Sequence, residues 1–215
     1  MRPVICMITD RRRYGPHWED ALVERVGAAA RAGVHLIQVR ERDLDGGILT
    51  RLVTRCVEAV GGTRARILVN DRVDVALAAG AHGVHLPGEA PPAPRVRSCT
   101  PPAFLVGRSV HALDEARGVS SAGGTDFLIF GTVYETASKP GAPSAGPCLL
   151  AQVAQATAHP VLAVGGVTLD RIGLLRAAGA AGFAAIGLFA DCRPEHLQVL
   201  VGQASMAFDT PRPVP

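Results

Sequence analysis

The chain has 215 residues, which fits one large domain, and 48% of them are hydrophobic, which is enough for a substantial core. Only 4% are aromatic, so aliphatic side chains are expected to build that core. The formal net charge of +3 comes from scattered basic residues, which argues against nucleic acid or membrane partners. Five separated cysteines without a C-x-x-C pair predict reduced thiols in a cytoplasmic protein rather than a disulfide frame or zinc site.

Short apolar segments alternate with longer helical segments along the whole chain. The predicted strands are Val4–Asp10, His35–Glu41, Arg66–Asp71, Gly83–Leu86, Phe104–Val110, Phe127–Val133, Pro160–Gly165 and Gly182–Phe189. Continuously apolar strands favour a parallel sheet buried on both faces. Eight such units predict a single α/β domain, a (β/α)8 TIM barrel over residues 1–207, followed by a disordered tail over 208–215. An open doubly wound sheet is the alternative, but no G-x-G-x-x-G follows the first strand.

Active sites of such barrels lie at the C-terminal ends of the strands, where this chain places polar residues. Ser109 and His111 end the fifth strand and share one face, which makes His111 a candidate catalytic residue. Gly107 lies on the same face, where its missing side chain is expected to leave room for a ligand. The alternative is a structural histidine beside a serine that caps the next helix.

Two further strand ends predict ligand contacts. Gln38, Arg40 and Arg42 follow one another at period two, and two guanidinium groups on one face predict anion binding unless the strand is a solvated edge. Asn70 and Asp71 end the third strand. Their amide and carboxylate are equally consistent with a Mg²⁺ ligand set and with a helix cap.

Glycines mark the ends of the last two strands. Gly165 and Gly166 precede a helix, and Gly187 ends the eighth strand, where barrels often bind phosphate on free backbone N–H groups. The loop after the sixth strand contains Thr136, Ser138 and Lys139 among glycine and proline. It predicts a mobile lid that closes on a phosphate, with a solvated loop as the alternative.

Taken together, these stretches resemble the thiamine phosphate synthase family of small barrels, from Ile8 to about Leu188. The matching pieces are Ile8-Thr9-Asp10, Gln38-Val-Arg40, Asn70-Asp71-Arg72, Gly83-Val-His85-Leu86, Gly107-Arg-Ser109-Val-His111, Thr136-Ala-Ser138-Lys139 and Gly165-Gly166. The resemblance implies a role in thiamine biosynthesis, a small thiazole phosphate as substrate and a homo-oligomer of two or more subunits.

That family has two branches. The synthases join a pyrimidine pyrophosphate to a thiazole phosphate with Mg²⁺, whereas the TenI branch contains thiazole tautomerases, which aromatise a carboxythiazole phosphate without a metal. The synthase signature His-x-Gly-Gln-x-Asp ends in an Asp that helps to bind Mg²⁺, and the corresponding segment of this chain, which begins at His85, ends in Ala90. This departure predicts a metal-independent tautomerase, an isomerase with no cofactor and with His111 as its proton shuttle.

Other matches support different functions. Gln38, Asn70 and Asp71 are as a thiamine phosphate synthase would have them, and in that alternative Mg²⁺ is held by Asp71 together with Glu89 in place of the missing carboxylate. A second alternative is a barrel that binds a thiamine precursor without converting it. Incubation with each substrate set, with and without Mg²⁺, separates the three.

Overall fold

Eight parallel strands close into one barrel in the computed structural model, which describes residues 3–136, 141 and 143–210. The strands are Val4–Ile8 (β1), Leu36–Val39 (β2), Arg66–Asn70 (β3), Gly83–Leu86 (β4), Leu105–Val110 (β5), Phe127–Gly131 (β6), Val161–Val164 (β7) and Gly182–Ala185 (β8). Each pairs in parallel with the next, and β8 pairs with β1. The predicted (β/α)8 TIM barrel is confirmed.

Helices connect the strands and surround the barrel. They are Trp18–Arg31 (α1), Gly46–Ala59 (α2), Val73–Ala78 (α3), Ala93–Arg97 (α4), Leu113–Ala122 (α5), Gly146–Gln155 (α6), Leu169–Ala177 (α7), Gly187–Ala190 (α8) and Leu197–Asp209 (α9). In the part of the chain that the structure describes, no helix combines the length and the hydropathy needed to cross a bilayer.

Every predicted strand except Gly83–Leu86 extends further than the observed one, and three of the corrected boundaries bear on the site or the core. The second strand ends at Val39 rather than at Glu41, and the buried Glu41 carboxylate accepts from Thr9, the residue after β1. The eighth strand ends at Ala185, and Phe189 lies in the short helix α8 instead. Phe208, expected in a disordered tail, is 1% exposed on α9, since its ring packs in the core; residues 211–215 lie outside the described part.

The apolar residues form two layers because successive strand side chains point to opposite faces. Cys6 and Ile8 point into the barrel with Leu68, Phe127 and other inward residues. The intervening side chains of the strands pack outward against the helices. Burial on both faces explains why the strands read as continuous apolar runs rather than as alternating ones.

The inward-facing positions change character toward the C-terminal ends of the strands. On β2 the buried Gln38 follows the inward-facing Leu36, and on β3 Asn70 follows the inward-facing Leu68. Ser109 is two positions after Gly107 on β5. The barrel is therefore filled by aliphatic and aromatic groups below and lined by hydrogen-bonding groups at its mouth.

Candidate active site

A cavity of about 690 Å³ opens at the C-terminal ends of the strands. The predicted site residues that line it are Gln38, Arg40, Arg42, Asn70, Ser109, His111, Thr136, Gly165, Gly166 and Gly187. Ser138 and Lys139 lie outside the described residues, so the predicted lid is not tested. Most of the residues predicted from the period of two along strands, and from glycines at strand ends, therefore line one cavity.

One side of the cavity carries the guanidinium groups of Arg40 and Arg42. A buried network holds this chain segment: the N–H of Arg40 donates to Thr9 Oγ1 at 3.0 Å, and Thr9 Oγ1 donates to Glu41 Oε1 at 2.5 Å. The N–H of Arg11 also donates to both oxygens of Glu41, at 3.2 and 3.1 Å. Burial raises the pKa of the Glu41 carboxyl, and hydrogen bonds from Thr9 and Arg11 partly oppose that rise.

Arg40 interacts with the like charge of Arg42 and with the opposite charges of Asp10 and Glu41. Its guanidinium makes no hydrogen bond or ion pair with the described residues, and burial, followed by the like charge of Arg42, lowers its pKa. Because a guanidinium keeps its charge at any working pH, this arrangement favours an anion that accepts from both arginines. The basic run Arg11 to Arg13 is different, since it pairs with Glu41, Asp43, Asp10 and Asp191.

A row of neutral polar groups crosses the cavity floor. Gln38 Nε2 donates to Asn70 Oδ1 at 3.0 Å, which leaves the buried Gln38 Oε1 without a partner among the described residues. On the neighbouring strands, His85 Nε2 lies 2.8 Å from Ser109 Oγ. These groups are uncharged hydrogen-bond donors and acceptors, so they suit a flat polar ring better than a charged group.

His85, whose role the sequence left open, is 3% exposed at the bottom of this row. Burial, followed by the charges of Arg40 and Arg108, lowers its pKa to about 3, so the imidazole is neutral near pH 7. The space beside Gly107 is taken by protein: a Cβ there would lie 2.3 Å from the Phe127 ring and 2.9 Å from His85 Nδ1. The prediction that Gly107 leaves room for a ligand is wrong.

His111 lines the cavity from the end of β5 and is itself exposed. Its Nδ1–H donates to the carbonyl oxygen of Gly131, because that oxygen only accepts. The His111 N–H donates to Glu115 Oε2 at 2.6 Å, which fixes the start of α5. The ring is held by this bond to Gly131.

The opposite side of the cavity is a turn of two glycines after β7. Gly165 and Gly166 have φ angles of 103° and 59°, which only glycine adopts without strain. A Cβ on Gly166 would lie 2.4 Å from the carbonyl oxygen of Glu135. Neither the N–H of Gly166 nor that of Gly187 donates to another described residue, so both remain available to an anion.

Arg171 is a cavity residue that sequence reasoning missed. Its Nη1 donates to the carbonyl oxygen of Gly166 at 2.9 Å, and its guanidinium lies 4.7 Å from the centre of the Tyr134 ring. It adds a positive charge beside the glycine turn. One signal was available: side chains in the first turn of a helix lean toward its N-terminus, and α7 begins at the mouth of the barrel.

The carboxylates considered for Mg²⁺ do not line this cavity. Asp71 is exposed, with φ at 66°, and neither it nor Glu89 lines the cavity. Position 90 is Ala, whose carbonyl oxygen accepts from Arg108 at 3.0 Å. Among the described residues, no three His, Cys, Asp or Glu side chains are grouped so as to hold a metal, and these side chains do not build a Mg²⁺ site by themselves.

Comparisons with known proteins agree with this fold. Residues 5–189 match the family described as thiamine monophosphate synthase. A thiamine-phosphate synthase of Anaeromyxobacter dehalogenans is 41% identical over 74% of this chain and 71% of its own length. A putative thiamine-phosphate synthase 2 of Aquifex aeolicus is 35% identical over 88% of this chain and 98% of its own length. The solved thiamine phosphate pyrophosphorylase of Pyrococcus furiosus superposes with a TM-score of 0.81 and 26% identity, over 95% of both chains.

These relatives correct one prediction. The sequence favoured a thiazole tautomerase of the TenI branch, chiefly because Ala90 replaces a metal-binding Asp. That prediction is wrong, since relatives up to 42% identical bear the name thiamine-phosphate synthase or putative thiamine-phosphate synthase, and the solved relative is a thiamine phosphate pyrophosphorylase. One substituted position carries less weight than likeness over most of the barrel. The chain belongs to the thiamine monophosphate synthase family.

Proposed function

We propose that this protein is a thiamine-phosphate synthase, a transferase that joins hydroxymethylpyrimidine pyrophosphate to a thiazole phosphate. The observation that carries the proposal is a single cavity with a cationic end, an anion-binding glycine turn and a neutral polar floor between them. The names of the relatives support the same reaction. Two phosphorylated substrates that meet through their rings need a site with this layout.

The reaction breaks the bond between the pyrimidine methylene carbon and pyrophosphate, and it forms a bond from that carbon to the thiazole nitrogen. The nitrogen attacks with its lone pair, so no proton has to be removed. Negative charge develops on the departing oxygen, and donors fixed in advance stabilise such charge most effectively. Arg40 and Arg42, which follow β2 and line the cavity, are our candidates for these donors.

The phosphate of the thiazole substrate is assigned to the other end of the cavity. The N–H groups of Gly166 and Gly187 are unpaired among the described residues, and the Arg171 guanidinium lies against the carbonyl oxygen of Gly166. Backbone donors at a glycine turn suit a phosphate because they bring partial positive charge close to its oxygens.

The aminopyrimidine ring is assigned to the floor. Gln38 Oε1 is a buried acceptor without a partner in the described chain, and it suits the exocyclic amine of the ring. The Nδ2 group of Asn70 is a donor, because its Oδ1 already accepts from Gln38, and it suits a ring nitrogen. His111 and Thr136 line the wall above the floor.

The test supplies the purified protein with both substrates and Mg²⁺, and measures thiamine phosphate and pyrophosphate. We expect the two products in equal amounts, with kcat/KM reduced about 10–1000-fold in Arg40→Ala through lost charge stabilisation. Arg64→Ala is the matched control, because Arg64 is exposed and does not line the cavity. Binding of both substrates without any product would favour the non-catalytic alternative. The homo-oligomer stays a prediction, which light scattering checks.

A further inference from the structure

The imidazole of His85 is locked in place at the base of the cavity. It is 3% exposed, and its ring stacks on Phe127 with the two centroids 6.3 Å apart and the planes 30° apart. Gly107 closes the remaining side, since a Cβ at that position would lie 2.9 Å from His85 Nδ1. A ring enclosed in this way cannot turn to exchange its two nitrogens.

The two nitrogens have different surroundings. Nε2 lies 2.8 Å from Ser109 Oγ, whereas Nδ1 is buried without a partner among the described residues, facing the side-chain position of Gly107, which offers no acceptor. A neutral imidazole has one N–H and one lone pair. Buried N–H groups without a partner are rarer than buried acceptors without one. The proton therefore belongs on Nε2, and the bare lone pair on Nδ1.

This tautomer decides what Ser109 presents to a ligand. With the proton on Nε2, His85 donates to Ser109 Oγ, and the serine hydrogen is free to point into the cavity. With the proton on Nδ1, the Ser109 hydroxyl would donate its only hydrogen to His85 Nε2. It could then only accept hydrogen bonds from a ligand. Burial, followed by the positive charges of Arg40 and Arg108, disfavours a doubly protonated ring, so the choice lies between the two neutral tautomers.

We propose that His85 is a positioning residue that turns the Ser109 hydroxyl into a hydrogen-bond donor toward a ring nitrogen of the bound heterocycle. This inference rests on the proposed function, which supplies the aminopyrimidine. Ser109 then completes the floor pattern, in which Gln38 Oε1 accepts while Asn70 Nδ2 and Ser109 Oγ–H donate. A ring with an exocyclic amine and ring nitrogens complements that pattern, whereas a purely hydrocarbon ring leaves all three groups unpaired.

The tautomer is read directly by nitrogen chemical shifts of protein labelled at its histidines, with the His85 signals assigned by their loss in His85→Gln. We expect a protonated Nε2 and an unprotonated Nδ1 near pH 7, without any substrate. A protonated Nδ1 would overturn the proposal. This measurement is independent of whether the protein makes thiamine phosphate, so it separates failure of the inference from failure of the proposed function.

Variants then test the consequence for binding. The side-chain nitrogen of Gln reaches about as far as imidazole Nε2, and that of Asn about as far as Nδ1. We therefore expect His85→Gln to keep KM for the pyrimidine pyrophosphate within a few-fold of the parent, and His85→Asn to raise it roughly 10–100-fold, as Ser109→Ala does. KM for the thiazole phosphate should be unchanged in all three. Dissociation constants for the pyrimidine pyrophosphate, from calorimetry, should follow the same order without turnover.

The double variant His85→Asn/Ser109→Ala checks that the two residues act together. If His85 works only through Ser109, the double variant binds no worse than Ser109→Ala. Additive losses, or equal losses in His85→Gln and His85→Asn, would contradict the proposal. Thermal melting verifies that each variant is folded. If the Asn variants do not fold, the dissociation constants of His85→Gln and Ser109→Ala for the pyrimidine pyrophosphate still test the proposal. We expect Ser109→Ala to bind this substrate more weakly than His85→Gln does.

Discussion

His85 lies where a positive charge has no compensating partner among the described residues. Its Nδ1 is unpaired and its Nε2 contacts a neutral hydroxyl. Burial, followed by the like charges of Arg40 and Arg108, lowers the pKa of His85 from 6.5 to about 3. The folded protein therefore resists a proton that the unfolded chain accepts.

This difference predicts acid sensitivity. Between the folded and unfolded pKa values of His85 only the unfolded state is protonated, so the free energy of unfolding should fall as the pH falls, by about 1.4 kcal/mol per pH unit. The stabilisation is complete well above pH 6.5, the usual pKa of His, and from about pH 7 to about pH 5 the loss is roughly 2 kcal/mol. Urea unfolding of the parent and of His85→Gln measures it. Equal losses in both proteins would show that His85 does not contribute.

His111 is expected to be dispensable for the bond-forming step. The thiazole nitrogen attacks with a lone pair, so no general base is required, and the His111 ring is engaged with Gly131. His111→Ala should keep kcat within about ten-fold of the parent, whereas loss of a general base typically costs about 10²–10⁴-fold. Steady-state kinetics with both substrates measures the change. A loss inside the larger range would give His111 a catalytic role in proton transfer.

At the scale of elements, the turn between β7 and α7 and the start of α8 differ in their tolerance of a side chain. Gly166 has a left-handed backbone, and a Cβ there would also lie 2.7 Å from Tyr134 Cβ. At Gly187 the nearest atom to a new Cβ is Asp191 Oδ2 at 3.2 Å, the end of an exposed side chain. The two glycines of the phosphate end are thus not equivalent.

Gly166→Ala should lower the free energy of unfolding by at least about 1–2 kcal/mol, because a left-handed conformation costs that much for an L-residue before any overlap is counted. Gly187→Ala is the matched control and should melt within about 0.5 kcal/mol of the parent, as tolerated substitutions do. Thermal unfolding with and without inorganic phosphate measures both. Equal destabilisation by the two variants would contradict the assigned geometry of the turn.

On the scale of the whole molecule, a ligand at the mouth of the barrel contacts residues from many strands at once. An anion held by Arg40 and Arg42 would stabilise the folded state alone, since the unfolded chain has no such site. Inorganic pyrophosphate at about 100-fold above its dissociation constant should add about 2.7 kcal/mol to the free energy of unfolding.

In Arg40→Ala the same pyrophosphate concentration should add about 1.4 kcal/mol or less, because the loss of one charge-assisted contact weakens binding about ten-fold. Arg64→Ala should respond like the parent, since Arg64 is exposed and remote from the cavity lining. Melting curves across a pyrophosphate titration provide the comparison. An undiminished shift in Arg40→Ala would place the anion elsewhere.

Local patterns in the sequence determined most of the barrel and much of its rim. Continuous apolar runs mark strands buried on both faces, and Gln38, Arg40 and Arg42, predicted to share one face, all line the cavity although β2 ends at Val39. Paired glycines likewise marked the turn after β7. These features are readable because side-chain direction along a strand and left-handed backbone at glycine depend on the nearest neighbours in the chain.

Only the tertiary structure decided which side chains meet across the barrel. The space beside Gly107 is filled by Phe127 and His85, Asp71 lies outside the cavity lining, and Arg171 joins the glycine turn. The tautomer assigned to His85 follows from what surrounds each nitrogen, and those neighbours come from other strands. Strand register and burial set these contacts, and they arise between residues far apart in the chain, so no local pattern encodes them.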